Sequence, residues 1–207
     1  MSTIRRPAVA ALAAASAAAL LAGCAGGASG SSDDSFVFLS DLEPVCFDTA
    51  AYKNLANYNV IRQITDPLVR QDSSGAYFPG LATAWEVSED GLTWTLTLRE
   101  DVTFHDGTDL TADDVQASVE RFSAEGNTLS SPNWYESSRV VDDYTWEVTL
   151  PSAQANFLQS LSTPDFPILS SESIAEFTDG GRCAVPTTLV GTGPFVPVEY
   201  DKGATLY

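Results

Sequence analysis

"LTWTLTLREDVTFHDG", Leu92 to Gly107, carries the clearest periodicity in the 207-residue chain. Leu92, Trp94, Leu96 and Leu98 alternate with Thr93, Thr95, Thr97 and Arg99. A period of two predicts a strand with one apolar and one threonine-rich face, and tryptophan and threonine both suit such a pleated surface. Upstream, "SEDG" (Ser88 to Gly91) is a turn signal preceded by Trp85 and Val87, which read as a partner strand; a hairpin follows. Downstream, Val102 and Phe104 begin a short second run. "HDG" (His105 to Gly107) then reverses the chain, because Asp closes turns with its side chain and Gly accepts positive φ.

"TADD" (Thr111 to Asp114) has the form of a helix start, with Thr111 as N-cap and acids in the first turn, where the helix dipole favours them. Val115, Val119 and Phe122 give that helix one apolar face, and it ends before "AEGN" (Ala124 to Asn127). A second alternating run, Tyr144, Trp146, Val148 and Leu150, precedes a short helix bearing Phe157, Leu158 and Leu161. These elements predict an α+β unit, a small antiparallel sheet with helices packed on it.

The amino-terminal stretch reads as a processing signal. Arg5 and Arg6 form a positive start, Ala8 to Leu21 is almost all Ala, Leu and Val, and "LAGC" closes it at Cys24. "LAGC" resembles the lipobox of bacterial lipoproteins, in which the cysteine is lipidated and becomes the mature N-terminus. The expectation is a signal peptide over 1–23, a lipid anchor at Cys24, and a flexible Gly/Ser tether over 24–35. An ordinary secretory signal that happens to contain a Cys is the alternative. Either way the working part sits outside the cytoplasm.

Loss of residues 1–23 removes two arginines and no acids, moving the formal net charge from −18 to −20. Nucleic acid and anionic headgroups reward Lys and Arg, so nucleic-acid partners are excluded and the acidity reads as solubility. With Cys24 assigned to lipid, Cys46 and Cys183 remain. An oxidising location allows a disulfide between them, and two separate buried thiols are the alternative. Two distant cysteines and one histidine, His105, are too few ligands for a metal site.

Enzyme motifs are missing: there is no G-x-S-x-G, no H-E-x-x-H, and no Cys beside a plausible base. "GTGPF" (Gly191 to Phe195) lacks the Lys and Ser/Thr of a phosphate loop and is expected to continue into a strand. Asp113 and Asp114 sit where helix starts ordinarily place acids. No catalytic residue, metal or cofactor is assigned.

Three ordered segments carry a family resemblance: Leu81 to Phe122, "VVDDYTWEVTLPSAQANFLQSL" (Val140 to Leu161) and "VGTGPFVPVEY" (Val190 to Tyr200). They resemble the family 5 extracytoplasmic solute-binding proteins of ABC transporters, the peptide- and nickel-type binding proteins. "LEP" (Leu42 to Pro44) and "ITDPLV" (Ile64 to Val69) resemble the opening motifs of that family, with Glu43 in place of the usual Asp. The resemblance implies the amino-terminal portion of a periplasmic-binding-protein type II-like fold. Its parts would be a first segment of lobe I over 36–60, the small domain II over 61–164, and a return segment of lobe I over 165–207.

The resemblance further implies hinge closure around a peptide or similar solute and delivery to a permease and ATPase complex. A nickel chelate or another non-peptide solute is a second possibility, and the complete protein would be a monomer. By position, the ligand-facing residues would be Phe47, Asp48 and Thr49 and then Asn133, Trp134 and Tyr135. Asp48 would meet a ligand amine and the aromatics would stack along the ligand; the alternatives are that Asp48 caps a turn and that the aromatics are core. His105 falls in a scaffold hairpin, with a structural role. Family members are more than twice as long, so a truncated form is expected, with half a cleft and exposed sheet edges that favour association. A non-functional fragment or a non-transport interaction lipoprotein are the other readings of that length.

Overall fold

The periodic core of the sequence folds as its alternation predicts. The computed structural model describes residues 46–50, 55–124, 133–179 and 185–207, within the unit Ser40–Tyr207. The signal, Cys24, the tether, the "LEP" motif and Cys183 lie outside the described residues. Helix α1 (Leu55–Ile64) leads into a ribbon of β1 (Val69–Gln71) and β2 (Tyr77–Pro79). Strands β3 (Ala82–Val87) and β4 (Thr93–Leu98) form the hairpin, and α2 (Ala112–Ser123) follows. Next come β5 (Ser137–Asp142), β6 (Thr145–Thr149), α3 (Phe157–Leu161) and α4 (Ser171–Asp179), and the described chain closes on β7 (Tyr200–Asp201) and β8 (Thr205–Leu206).

The main sheet is antiparallel with strand order β3-β4-β6-β5. Register places Trp85, Leu96, Trp146 and Val140 in one cross-strand row and Val87, Trp94, Val148 and Ser138 in the next. The opposite face carries Thr93 beside Thr149, Thr95 beside Glu147 and Thr97 beside Thr145. Leu96, Trp146 and Val148 are fully buried beneath Val115, Val119 and Phe122 of α2. Burying side chains of this size contributes about 1.5–3 kcal/mol each, so this layer dominates the stability of the unit.

Several polar groups inside the layer find partners across elements, although Trp94 Nε1 has none among the described residues. Gln116 Oε1 accepts from Trp146 Nε1 and from Ser138 Oγ, each at 2.8 Å. The Asp114 carboxylate accepts the Thr111 N–H at 2.9 Å, closing the predicted helix start, and its other oxygen accepts the Ser171 N–H at 2.9 Å at the start of α4. Buried Ser118 accepts the Leu169 N–H and donates to the Leu169 carbonyl.

Two expectations are modified. Val102 and Phe104 do not open a strand; a single bridge, Thr103 to Asp109, forms instead. The turn is too tight for more: Phe104 N–H donates to the Thr108 carbonyl and Gly107 takes φ +89°. The "GTGPF" segment runs as irregular backbone before a strand begins at Tyr200.

That segment explains His105. The last carbonyls of a helix lack intrahelical donors. At the end of α1 the Ile64 and Gln63 carbonyls accept the N–H groups of Gly193 (2.8 Å) and Phe195 (3.1 Å). His105 holds the same segment from the other side. Its N–H donates to the Gly191 carbonyl at 3.0 Å, and its Nε2 lies 2.9 Å from the Gly193 carbonyl. A carbonyl only accepts, so Nε2 carries the proton. The lone histidine is a strut between the hairpin turn and the glycine segment. His105→Ala removes a donor from a partly buried carbonyl and is expected to cost about 1–2 kcal/mol. Denaturant unfolding read by tryptophan fluorescence checks this, and an unchanged midpoint would refute the strut.

Candidate functional site

The segment 46–50 straddles two cores. Phe47 packs edge-on against Tyr200 at 5.3 Å, in a cluster with Ile61, Ile64, Leu169 and Leu189, while Ala50 joins the main core. Cys46 is disulfide-bonded. Asp48 is only 6% exposed. One of its oxygens accepts the Ala50 N–H at 3.0 Å, and the other pairs with Arg121 Nη2 in the last turn of α2. Phe47, Asp48 and Thr49 line a void of about 10 Å³ together with Arg121 and Phe122, room for about one water.

Residues 133–135 reach the same region from the other side. Trp134 is buried, with its ring at 5.2 Å from Phe157 and 5.3 Å from Phe166. Tyr135 is half-buried and its hydroxyl lies 3.1 Å from Ser138 Oγ. The single Ser138 hydroxyl proton goes to Gln116, so the phenol donates. Asn133 is exposed, and its carbonyl accepts Gln154 Nε2 at 3.2 Å.

The two triads are joined by the loop 162–167, which sequence reasoning did not single out. Thr49 Oγ1 donates to the Asp165 carbonyl at 3.3 Å. Phe166 stands between Phe122, at 4.8 Å, and Trp134, at 5.3 Å. Tyr58 of α1 hydrogen-bonds the Asp165 side chain; burial first, and then this bond and the carboxylate charge, push the phenol above its ordinary range. Tyr58 therefore stays a neutral donor at physiological pH. Four parts of the chain, the 46–50 segment, α1, α2 and the 133–135 segment, thus converge on Asp165 and Phe166, with Asn133 and Tyr135 at the accessible margin and Asp48 and Trp134 held inside.

Arg121, Asp165 and Phe166 are the members missed from sequence. Their only local signals are a base in the last turn of a helix and a Pro-flanked "PDFP" loop, and neither names a partner. Among the described residues no group of three or more His, Cys, Asp or Glu side chains could hold a metal.

Residues 76–207 match the family described as bacterial extracellular solute-binding proteins, family 5 Middle. The chain belongs to this family. Family 5 members are extracytoplasmic binding proteins and not enzymes. Among its relatives, heme-binding protein A of Haemophilus influenzae is 32% identical over 195 residues, 82% of this chain and 35% of that protein. Di/tripeptide-binding protein 1 of Pseudomonas aeruginosa is 30% identical, covering 83% of this chain and 36% of that protein. The chain therefore spans about a third of the length of these relatives.

Solved structures agree on the fold. The binding protein AgaA of A. tumefaciens R10, in complex with agropinic acid, superposes with a TM-score of 0.70 at 30% identity over 79% of this chain and 33% of that one. The Helicobacter pylori protein DppA, in complex with the peptide STSA, gives 0.67 at 27% identity over 79% and 36%. The α+β unit is thus part of a periplasmic-binding-protein fold of family 5.

Proposed function

We propose that the chain acts in the substrate-binding component of an ABC importer, capturing a peptide or related small solute outside the membrane and passing it to a permease and ATPase complex. Membership of family 5 is the observation that carries this reading. The relatives named above are, by their own names, binders of heme, di- and tripeptides, agropinic acid and a tetrapeptide. In the proposed division, 36–60 and 165–207 belong to lobe I and 61–164 to domain II. The protein is held at the membrane by lipid on Cys24 and braced by a Cys46–Cys183 disulfide. The disulfide state of Cys46 and the oxidising compartment support that pairing.

The convergence at Asp165 and Phe166 is the proposed solute-facing margin. Asn133 and Tyr135 offer polar edges there, while Asp48 and Trp134 shape it from inside. Intact mass of the protein extracted from membranes, with and without reductant, tests the anchor and the disulfide. Titration with di- and tripeptides, with the peptides recovered and weighed by mass spectrometry, tests the binding role. Saturable binding with intact peptide supports the reading; cleavage of the peptide would overturn it.

A further inference from the structure

An open groove of about 730 Å³ lies between the end of α1, the β1–β2 ribbon, the 162–167 loop and the turn at 192–194; it shares Phe166 with the convergence described above, but none of residues 47–49 or 133–135 lines it. Its volume falls within the range of small-molecule sites, about 300–1,000 Å³. Much of its lining is apolar, including Phe78, Pro164, Phe166 and Pro194, and Phe78 is 42% exposed. Its charged lining is Arg62, Asp66 and Arg70. Two cations against one anion make the groove locally positive in a chain of formal net charge −18.

The two arginines are not equivalent. Arg70 is paired with Asp66 at 2.8 Å, and the other Asp66 oxygen accepts Thr192 Oγ1 at 3.3 Å. Arg62 donates its Nε to the Tyr58 carbonyl of its own helix at 3.2 Å, and its terminal nitrogens have no carboxylate partner among the described residues. Arg70, Arg99, Arg121 and Arg139, the other described arginines, each have one. The hydroxyls on the groove wall are already spent: Ser162 donates to the Gln159 carbonyl, Thr163 to the Ser160 carbonyl and Thr65 to the Ile61 carbonyl.

We propose that this groove is a binding site for a monocarboxylate with an apolar or aromatic body, its carboxylate on the Arg62 guanidinium and its body against Phe78 and the prolines. One guanidinium whose two terminal nitrogens meet no carboxylate among the described residues suits one carboxylate, which it can grip with two parallel N–H donors. Asp66 and the acidic chain disfavour a second negative charge on the ligand. N-acylated amino acids and the carboxyl-terminal residue of an apolar peptide are members of this class.

N-acetyl-L-phenylalanine and its amide, titrated into the purified chain and followed by calorimetry, test the site. The acid is expected to bind saturably, at least about tenfold more tightly than the amide, the scale of a charge-assisted hydrogen-bond pair. Arg62→Gln should remove that preference, Arg62→Lys should keep only part of it, and Arg99→Gln should leave it intact. Arg62 is exposed, so an unchanged unfolding midpoint is expected for each Arg62 variant. Equal binding of acid and amide, no saturation by the acid, or an Arg62→Gln variant that still prefers the acid would overturn the proposal. The groove shares Phe166 with the proposed solute-facing margin, so the peptide titration remains the separate test of the importer reading, which family membership carries whatever the acid and amide show.

Discussion

Gly191→Ala is expected to destabilise the unit by about 4 kcal/mol or more, although the change adds one methyl group and leaves a permitted backbone. A Cβ at Gly191 would lie 2.2 Å from the Ile64 carbonyl oxygen and 2.9 Å from Thr65 Cγ2. At Gly193 it would lie 2.5 Å from the Ile64 carbonyl carbon. The first obstacle is backbone at the end of α1, so relief requires the glycine segment to retreat by about 1 Å, given normal packing distances. Retreat breaks the bonds of Gly193 and Phe195 to α1 and presses the segment against His105, which bonds it from the other side. At about 1 kcal/mol net for each of these two bonds and at least about 1 kcal/mol for each helix carbonyl left unsatisfied, the loss is about 4 kcal/mol or more, a large share of the roughly 5–15 kcal/mol of an ordinary domain.

Gly107→Ala is the control that separates space from backbone conformation. Nothing lies within 4 Å of a Cβ there, but φ is +89°. Its cost should be about 1–2 kcal/mol, that of a non-glycine residue in the left-handed region. Equilibrium denaturation of both variants decides the matter. If Gly191→Ala loses no more than Gly107→Ala, the close-packing account of the glycine segment is wrong.

This contrast bears on what a sequence makes legible. The β3–β4 hairpin, the α2 start at Thr111 and the apolar row Val115, Val119 and Phe122 could be read because their causes are local: a period of two, a capping acid three residues on, a period near 3.6. Strand β5 could not, because its inward position Ser138 is polar. This partly buried hydroxyl is accommodated against the core by Gln116, 22 residues upstream, which accepts its proton. The pairing of β4 with β6 across an intervening helix and strand is equally invisible locally.

The site divides in the same way. The family resemblance singles out residues 47–49 and 133–135 by their position. The members that join them, Arg121, Asp165 and Phe166, act through partners far away in sequence, and nothing in their immediate neighbours announces those partners. The glycines of "GTGPF" were visible as unusual, yet their reason is the backbone of Ile64 more than 120 residues earlier.

Arg121→Met is the second substitution with a large expected effect, and it separates the two roles open to Asp48. The pair is secluded, with side-chain exposures of 6% for Asp48 and 18% for Arg121. Removing one member of a buried pair leaves the other charge uncompensated, at a cost of about 3–5 kcal/mol. Asp48→Asn should cost less. The amide oxygen can still accept the Ala50 N–H, and Arg121, the more exposed member, retains access to water. In the double variant Asp48→Asn/Arg121→Met no charge is stranded, so it should be more stable than Arg121→Met alone, with a coupling of 1 kcal/mol or more by double-mutant cycle. An additive cycle would mean the pair contributes nothing as a pair. Peptide titration of Asp48→Asn then supplies a readout that stability does not. A carboxylate that serves only to hold the 46–50 segment should leave affinity within about twofold once the variant is folded. A carboxylate that exchanges Arg121 for the amine of an incoming solute loses a charge-assisted hydrogen bond, and affinity falls about tenfold or more. The Arg121 guanidinium already occupies Asp48, so the geometry favours the first outcome, with Asp48 shaping the margin at which Asn133 and Tyr135 stand.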